Sequence, residues 1–152
     1  MSKHKTTSIE NLIPIFQDRL EAGQSVQFSP QGISMLPMLR QNIDSVVLSP
    51  VAEKLKKYDL PLYRRDDGKY ILHRIVDTGD TYTCMGDNQH IKEYGVRYEQ
   101  IIGYVTEFYR GNRRHSIDET GYKIYCRVWY HSRHFRYFWF RVKRKIKRLI
   151  GR

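Results

Sequence analysis

Leu60-Pro61-Leu62-Tyr63-Arg64-Arg65-Asp66-Asp67-Gly68-Lys69-Tyr70-Ile71-Leu72-His73-Arg74-Ile75-Val76-Asp77 places two apolar and aromatic runs on either side of a turn sequence. The Asp-Gly pair supplies the positive-φ positions that a tight turn needs, so the stretch reads as a β-hairpin with strands over 60–65 and 69–77. Outward from it, 25–29, 44–49, 81–86 and 101–109 are short β-branched and aromatic runs separated by turn residues. Together they predict a mainly β body. Ahead of the body, Ile9, Leu12, Ile13, Phe16 and Leu20 recur at steps of three and four residues. With a cap at Thr7 or Ser8 and Gly23 as the stop, this spacing predicts an amphipathic helix over 9–22, with Pro14 inside it.

The chain has 152 residues, 40% of them apolar and 13% aromatic, a length and composition that suit one domain with an appendage. No apolar run approaches the roughly 18 to 20 residues of a bilayer-spanning helix. Glu10 and Asp18 interrupt the N-terminal segment where a secretory signal would be apolar, so a cytoplasmic location is expected. Cys84 and Cys126 are the only cysteines, too few for a disulfide framework, and a reduced pair fits that compartment.

The net charge of +11 is unevenly spread. Residues 1–121 hold 16 basic and 16 acidic side chains, whereas 122–152 hold 11 basic and no acidic ones. The expected organisation is therefore an N-terminal helix (1–23), a neutral β domain (24–121) and a separable basic, aromatic tail (122–152). In the tail Val128, Phe135, Phe138, Trp139, Val142, Ile146, Leu149 and Ile150 fall largely on one helical face. Phe135 and Trp139 beside Arg141, Lys143, Arg144 and Lys145 suit contact with an anionic membrane. Nucleic acid, or a solvated face with Tyr125, Trp129 and Phe135 packed on the body, are the other readings of the same charges.

Three short segments carry chemistry. The first is Gly32-Ile33-Ser34-Met35-Leu36-Pro37-Met38-Leu39, in which a glycine two residues before a serine permits a sharp turn and close approach of a substrate chain. The second contains Leu72-His73-Arg74 and the third is Met85-Gly86-Asp87-Asn88-Gln89. Taken singly, Ser34 reads as a turn residue, His73 as a strand histidine and Asp87 as part of an Asp-Asn turn.

In this order and at these gaps, the three segments resemble the signal peptidase I and LexA-type superfamily of serine peptidases, over roughly residues 24–109. The resemblance implies a coiled β-barrel, with the N-terminal helix and the basic C-terminal helix lying outside the shared core. It implies Ser34 as nucleophile, His73 as base where many relatives carry lysine, and Asp87 as the residue that orients His73. Gly32, Ser34 and Met35 would form the oxyanion and substrate-binding segment. Relatives with histidine usually have a further aspartate downstream, where this chain has Glu93. An imidazole starts near a pKa of about 6.5, against about 10.4 for lysine, and needs orientation more than desolvation.

The expected function is a Ser-His endopeptidase acting on peptide or leader segments, with no cofactor. The alternatives are an inactive peptidase-fold binding or regulatory module and a basic nucleic-acid-binding protein. His4, His90, His115, His131 and His134 lack zinc-site spacing, and Gly23 and Gly32 lack that of a phosphate loop.

Overall fold

The computed structural model describes residues 9–150. His4, the Thr7 or Ser8 cap and the last two residues of the tail lie outside them. The chain order is α1 (Ile9–Glu21), β1 (Val26–Phe28), β2 (Ser45–Ser49), β3 (Pro61–Arg64), β4 (Tyr70–Leu72), β5 (Arg74–Thr78), β6 (Tyr82–Met85), β7 (Glu93–Val96), a short 3₁₀ turn (Tyr98–Gln100), β8 (Ile101–Arg110), β9 (Arg113–Ser116), α2 (Thr120–His131) and α3 (Arg133–Ile150). The protein is mainly β, in two antiparallel sheets. One has the order β1-β2-β8-β3-β4 with β9 added to β8, and the other is β5-β6-β7. Neither sheet closes on itself, so the strand pairing bears out the mainly β body but not the coiled β-barrel.

β8 is the axis of the larger sheet, pairing with β2, β3 and β9. Gly103 lets β8 lie close to β2: a Cβ there would stand 2.9 Å from the Ser49 carbonyl and from Leu48 Cγ. α1 buries Ile13, Phe16 and Leu20 in the same core as Val26, Phe28, Val46, Leu48, Leu62 and Val105. Each such side chain contributes about 1.5–3 kcal/mol through burial.

The run 69–77, expected as one strand, is two. β4 pairs with β3 in the larger sheet and β5 with β6 in the smaller, and His73 alone separates them. The hairpin over 60–72 forms as expected, with Arg65 and Lys69 joined across the turn.

The tail does not divide from the body at residue 121. Ser132 breaks it into two helices, and the first buries Tyr122 and Cys126 in the main core. Only α3, none of whose residues is buried, has the character expected of the whole tail.

Candidate active site

After β1 the chain enters a series of turns over 34–38 in which Gly32 has a φ of 88°, a left-handed conformation that side chains rarely adopt. The Gly32 N–H donates to Gln41 Oε1 at 3.2 Å. Met35, Met38 and Leu39 drop into the core and leave Ser34 half-exposed between them and the solvent. Arg40 and the fully buried Asp44 close the segment: Asp44 accepts from the Arg40 guanidinium at 2.8 and 2.9 Å and from the Gly111 N–H at 2.9 Å.

The Gly86-Asp87-Asn88 turn packs against the back of this segment. Asn88 donates its backbone N–H to the Ser34 carbonyl at 2.8 Å and its side-chain amide to the Ile33 carbonyl at 3.2 Å. A Cβ on residue 86 would lie 2.7 Å from the Ser34 carbonyl, closer than such atoms approach, so the turn needs glycine.

His73 lies at the crossing between the sheets and is 2% exposed. Ser34 and His73 line one cleft of about 90 Å³ with Gly32, Met35, Leu39, Tyr70 and Leu72. A larger cleft, of about 490 Å³ and lined by Lys54, Tyr58, Asp59, Tyr104 and Tyr122 among others, contains none of the three segments' site residues.

Glu93 Oε1 is 3.0 Å from His73 Nδ1. Glu93 also accepts from Tyr63 Oη at 2.9 Å and Arg65 Nε at 2.7 Å, and a second Arg65 nitrogen pairs with Oε1. With Glu93 as acceptor, the neutral ring keeps its proton on Nδ1 and its lone pair on Nε2. Burial lowers the pKa of His73 below its ordinary value, against the opposing pull of Glu93. Burial alone would raise the Glu93 carboxyl, but Arg65, Tyr63 and His73 together hold it low, so it stays ionised.

Asp87 does not orient His73. Its two oxygens accept from Arg74 Nε and Nη2, each at 2.8 Å, and Oδ2 also accepts from Tyr125 Oη at 3.0 Å. The fully buried Arg74 donates further to Tyr122 Oη at 2.8 Å, Cys126 Sγ at 3.0 Å, Met38 Sδ at 3.0 Å and the Tyr58 carbonyl at 3.1 Å. His73 and Arg74 are neighbours across the junction between the two sheets, and each meets a different carboxylate, Glu93 and Asp87. Arg74 thus joins the serine segment, the Gly-Asp-Asn turn and α2 into one buried network.

Of the residues singled out from sequence, Gly32, Ser34, Met35 and His73 share the cleft, and Asp87 lies in the supporting network behind it. Tyr63, Arg65 and Arg74 were not anticipated. An arginine in a β-run ordinarily reads as a surface residue, and only its place beside His73 and the single acid of the third segment hinted at a partner. Comparisons with protein-family models, curated proteins and solved structures find no match to this chain.

Proposed function

We propose that the chain is a serine hydrolase with Ser34 as nucleophile and His73 as base. More narrowly, we read it as a signal-peptidase-like endopeptidase that cleaves peptide or leader segments. The observation that carries the reading is the shared cleft of Ser34 and His73, with a carboxylate on Nδ1 of the imidazole.

In this mechanism His73 Nε2 takes the Ser34 Oγ proton as Oγ attacks the scissile carbonyl carbon. The Ser34 backbone N–H, with the 32–35 segment around it, stabilises the oxyanion. Collapse of the intermediate breaks the C–N bond, and Nε2 returns the proton to the leaving amine. Water then attacks the acyl-enzyme with His73 again as base, releasing the acid and restoring Ser34. Glu93 takes the third place, holding the tautomer and stabilising the imidazolium. The chemistry requires no cofactor. We place the enzyme in the cytoplasm, peripherally at the inner face of the cell membrane.

The test is incubation of the full chain with a peptide library, soluble and vesicle-tethered, read by mass spectrometry. Cleavage by the wild type and its loss in Ser34→Ala and His73→Ala, with unchanged circular dichroism, is the expected result. Full activity in either variant sinks the dyad. Binding without cleavage by the wild type would favour a peptidase-fold binding module.

A further inference from the structure

The third helix is attached to the body by the side opposite its apolar stripe. Tyr137 packs on His90 with ring centroids 4.2 Å apart, Arg133 lies 4.0 Å over the Tyr130 ring, and Arg136 stacks 3.5 Å over Trp129. Trp129 in turn donates its indole N–H to the Asp87 carbonyl at 2.8 Å. At 100° per residue Phe135, Phe138, Trp139, Val142, Ile146, Leu149 and Ile150 fall within an arc of about 120°, with Arg133 and Tyr137 on the far side and Arg136 on the flank. Phe135, Phe138, Leu149 and Ile150 are 60–78% exposed. The body therefore holds α3 with its apolar stripe turned outward.

We propose that this stripe is the surface by which the protein binds an anionic lipid bilayer, with α3 lying in the plane of the interface. The choice of occupant rests on charge. α3 carries eight Lys and Arg residues and no acid, arranged along both margins of the stripe and over the remaining face. A second copy laid on the same stripe would bring sixteen cations together with no carboxylate between them. A nucleic acid would match the cations and leave the aromatic and aliphatic stripe in water. Anionic headgroups over acyl chains satisfy both, with the lysine and arginine stems extending from the apolar boundary to the phosphates. Among the described residues no helix is long and apolar enough to cross a membrane, which fits a helix lying in the interface. The roughly 27 Å length of α3 then runs along the surface. Because Arg136 and Tyr137 tie α3 to Trp129 and His90, on either side of the turn that carries Asn88, the bilayer would hold the Ser34 cleft in a fixed orientation.

The proposal gives the peripheral location its surface; vesicle binding does not depend on the peptidase chemistry, so the two can fail separately. The test uses the full chain with phosphatidylglycerol/phosphatidylcholine vesicles and phosphatidylcholine vesicles at low salt. Sedimentation with the anionic vesicles is expected, with a blue shift in tryptophan emission that disappears in Trp139→Phe while Trp129 remains. Phe138→Glu and Leu149→Glu, at exposed positions that leave the fold intact by circular dichroism, should each weaken partitioning at least tenfold. Lys143→Gln and Lys145→Gln should each weaken it about fivefold. Protein that stays in the supernatant overturns the proposal. So does binding unaffected by the glutamates, which would be charge attraction alone, and so does a wild-type dimer that those glutamates dissociate.

Discussion

His73 and Arg74 are consecutive in the chain, yet their side chains meet separate carboxylates, Glu93 at 3.0 Å and Asp87 at 2.8 Å. One pair contains an imidazole whose pKa burial lowers below its ordinary value; the other is an ion pair sealed inside the protein. Their removal should have different consequences.

Glu93→Gln should lower kcat on the order of 10²- to 10⁴-fold, the cost of losing the group that sets the tautomer of a catalytic histidine. Stability should fall by only about 1 kcal/mol, because Arg65 is partly exposed and water can replace its partner. Peptide cleavage and urea unfolding on the same preparation would check both halves.

Arg74→Met should reverse that balance. It strands Asp87 and Tyr122 away from water, at a cost of about 3–5 kcal/mol in unfolding free energy. A denaturation midpoint equal to that of the wild type would contradict the structural role of the pair.

The pH profile follows from burial of the imidazole. The base works when neutral, and its pKa is lowered below the ordinary value of about 6.5. Peptidase activity should therefore rise with pH along a limb centred below about 6.5 and be on its plateau at neutrality. The stability sign agrees: the unfolded chain binds this proton more readily, so His73 disfavours folding below its unfolded pKa, and stability recovers as pH rises toward it. A kcat/KM profile still climbing above pH 8 would point to another base.

Gly86→Ala should reduce both activity and stability, the latter by about 1–3 kcal/mol, because its methyl group would press on the Ser34 carbonyl. Glycine at this position serves the nucleophile's backbone, so kcat should fall even in the fraction that remains folded. Active-site-corrected kinetics would separate the two effects.

Two truncations test where the body ends. A chain stopped after Ser132 should keep its melting temperature within a few degrees, since α3 buries no residue. A chain stopped at Gly121 loses Tyr122, Tyr125, Cys126 and Trp129 from around Arg74 and Asp87. Its melting temperature should drop by more than about 10 °C.

The strands and the first helix were legible because their side chains carry the periodicity. Ile13, Phe16 and Leu20 face the core as their spacing requires, and Asp67-Gly68 turns where such a pair should. β9 was not legible: Arg113–Ser116 is polar throughout and joins the sheet through backbone bonds to β8. β7 was hidden by Gly95, whose φ of 74° interrupts the extended pattern where the register with β6 also shifts. The break at His73 was not legible in the run 69–77, since pairing partners decide it. For the site, the Ser34, His73 and Asn88 segments were visible as motifs, but which acid belongs to His73 depends on the direction of two adjacent side chains. The tail looked separable because charge dominates its composition, and the four aromatic and sulfur side chains that bind α2 to the body are a small share of it.

With a single residue joining strands of different sheets at position 73, that junction has no slack. One amino acid inserted or deleted there would turn β5 over, exchanging its inward and outward side chains and sending Arg74 away from Asp87. The Asp66-Asp67-Gly68 turn carries no such constraint, and affinity tags, fluorophores or reporter peptides belong in it, whereas the Gly111-Asn112 turn is tied to the buried Asp44 by the Gly111 N–H. Length variation among sequences of this kind should collect at the Asp66-Asp67-Gly68 turn and spare the seam.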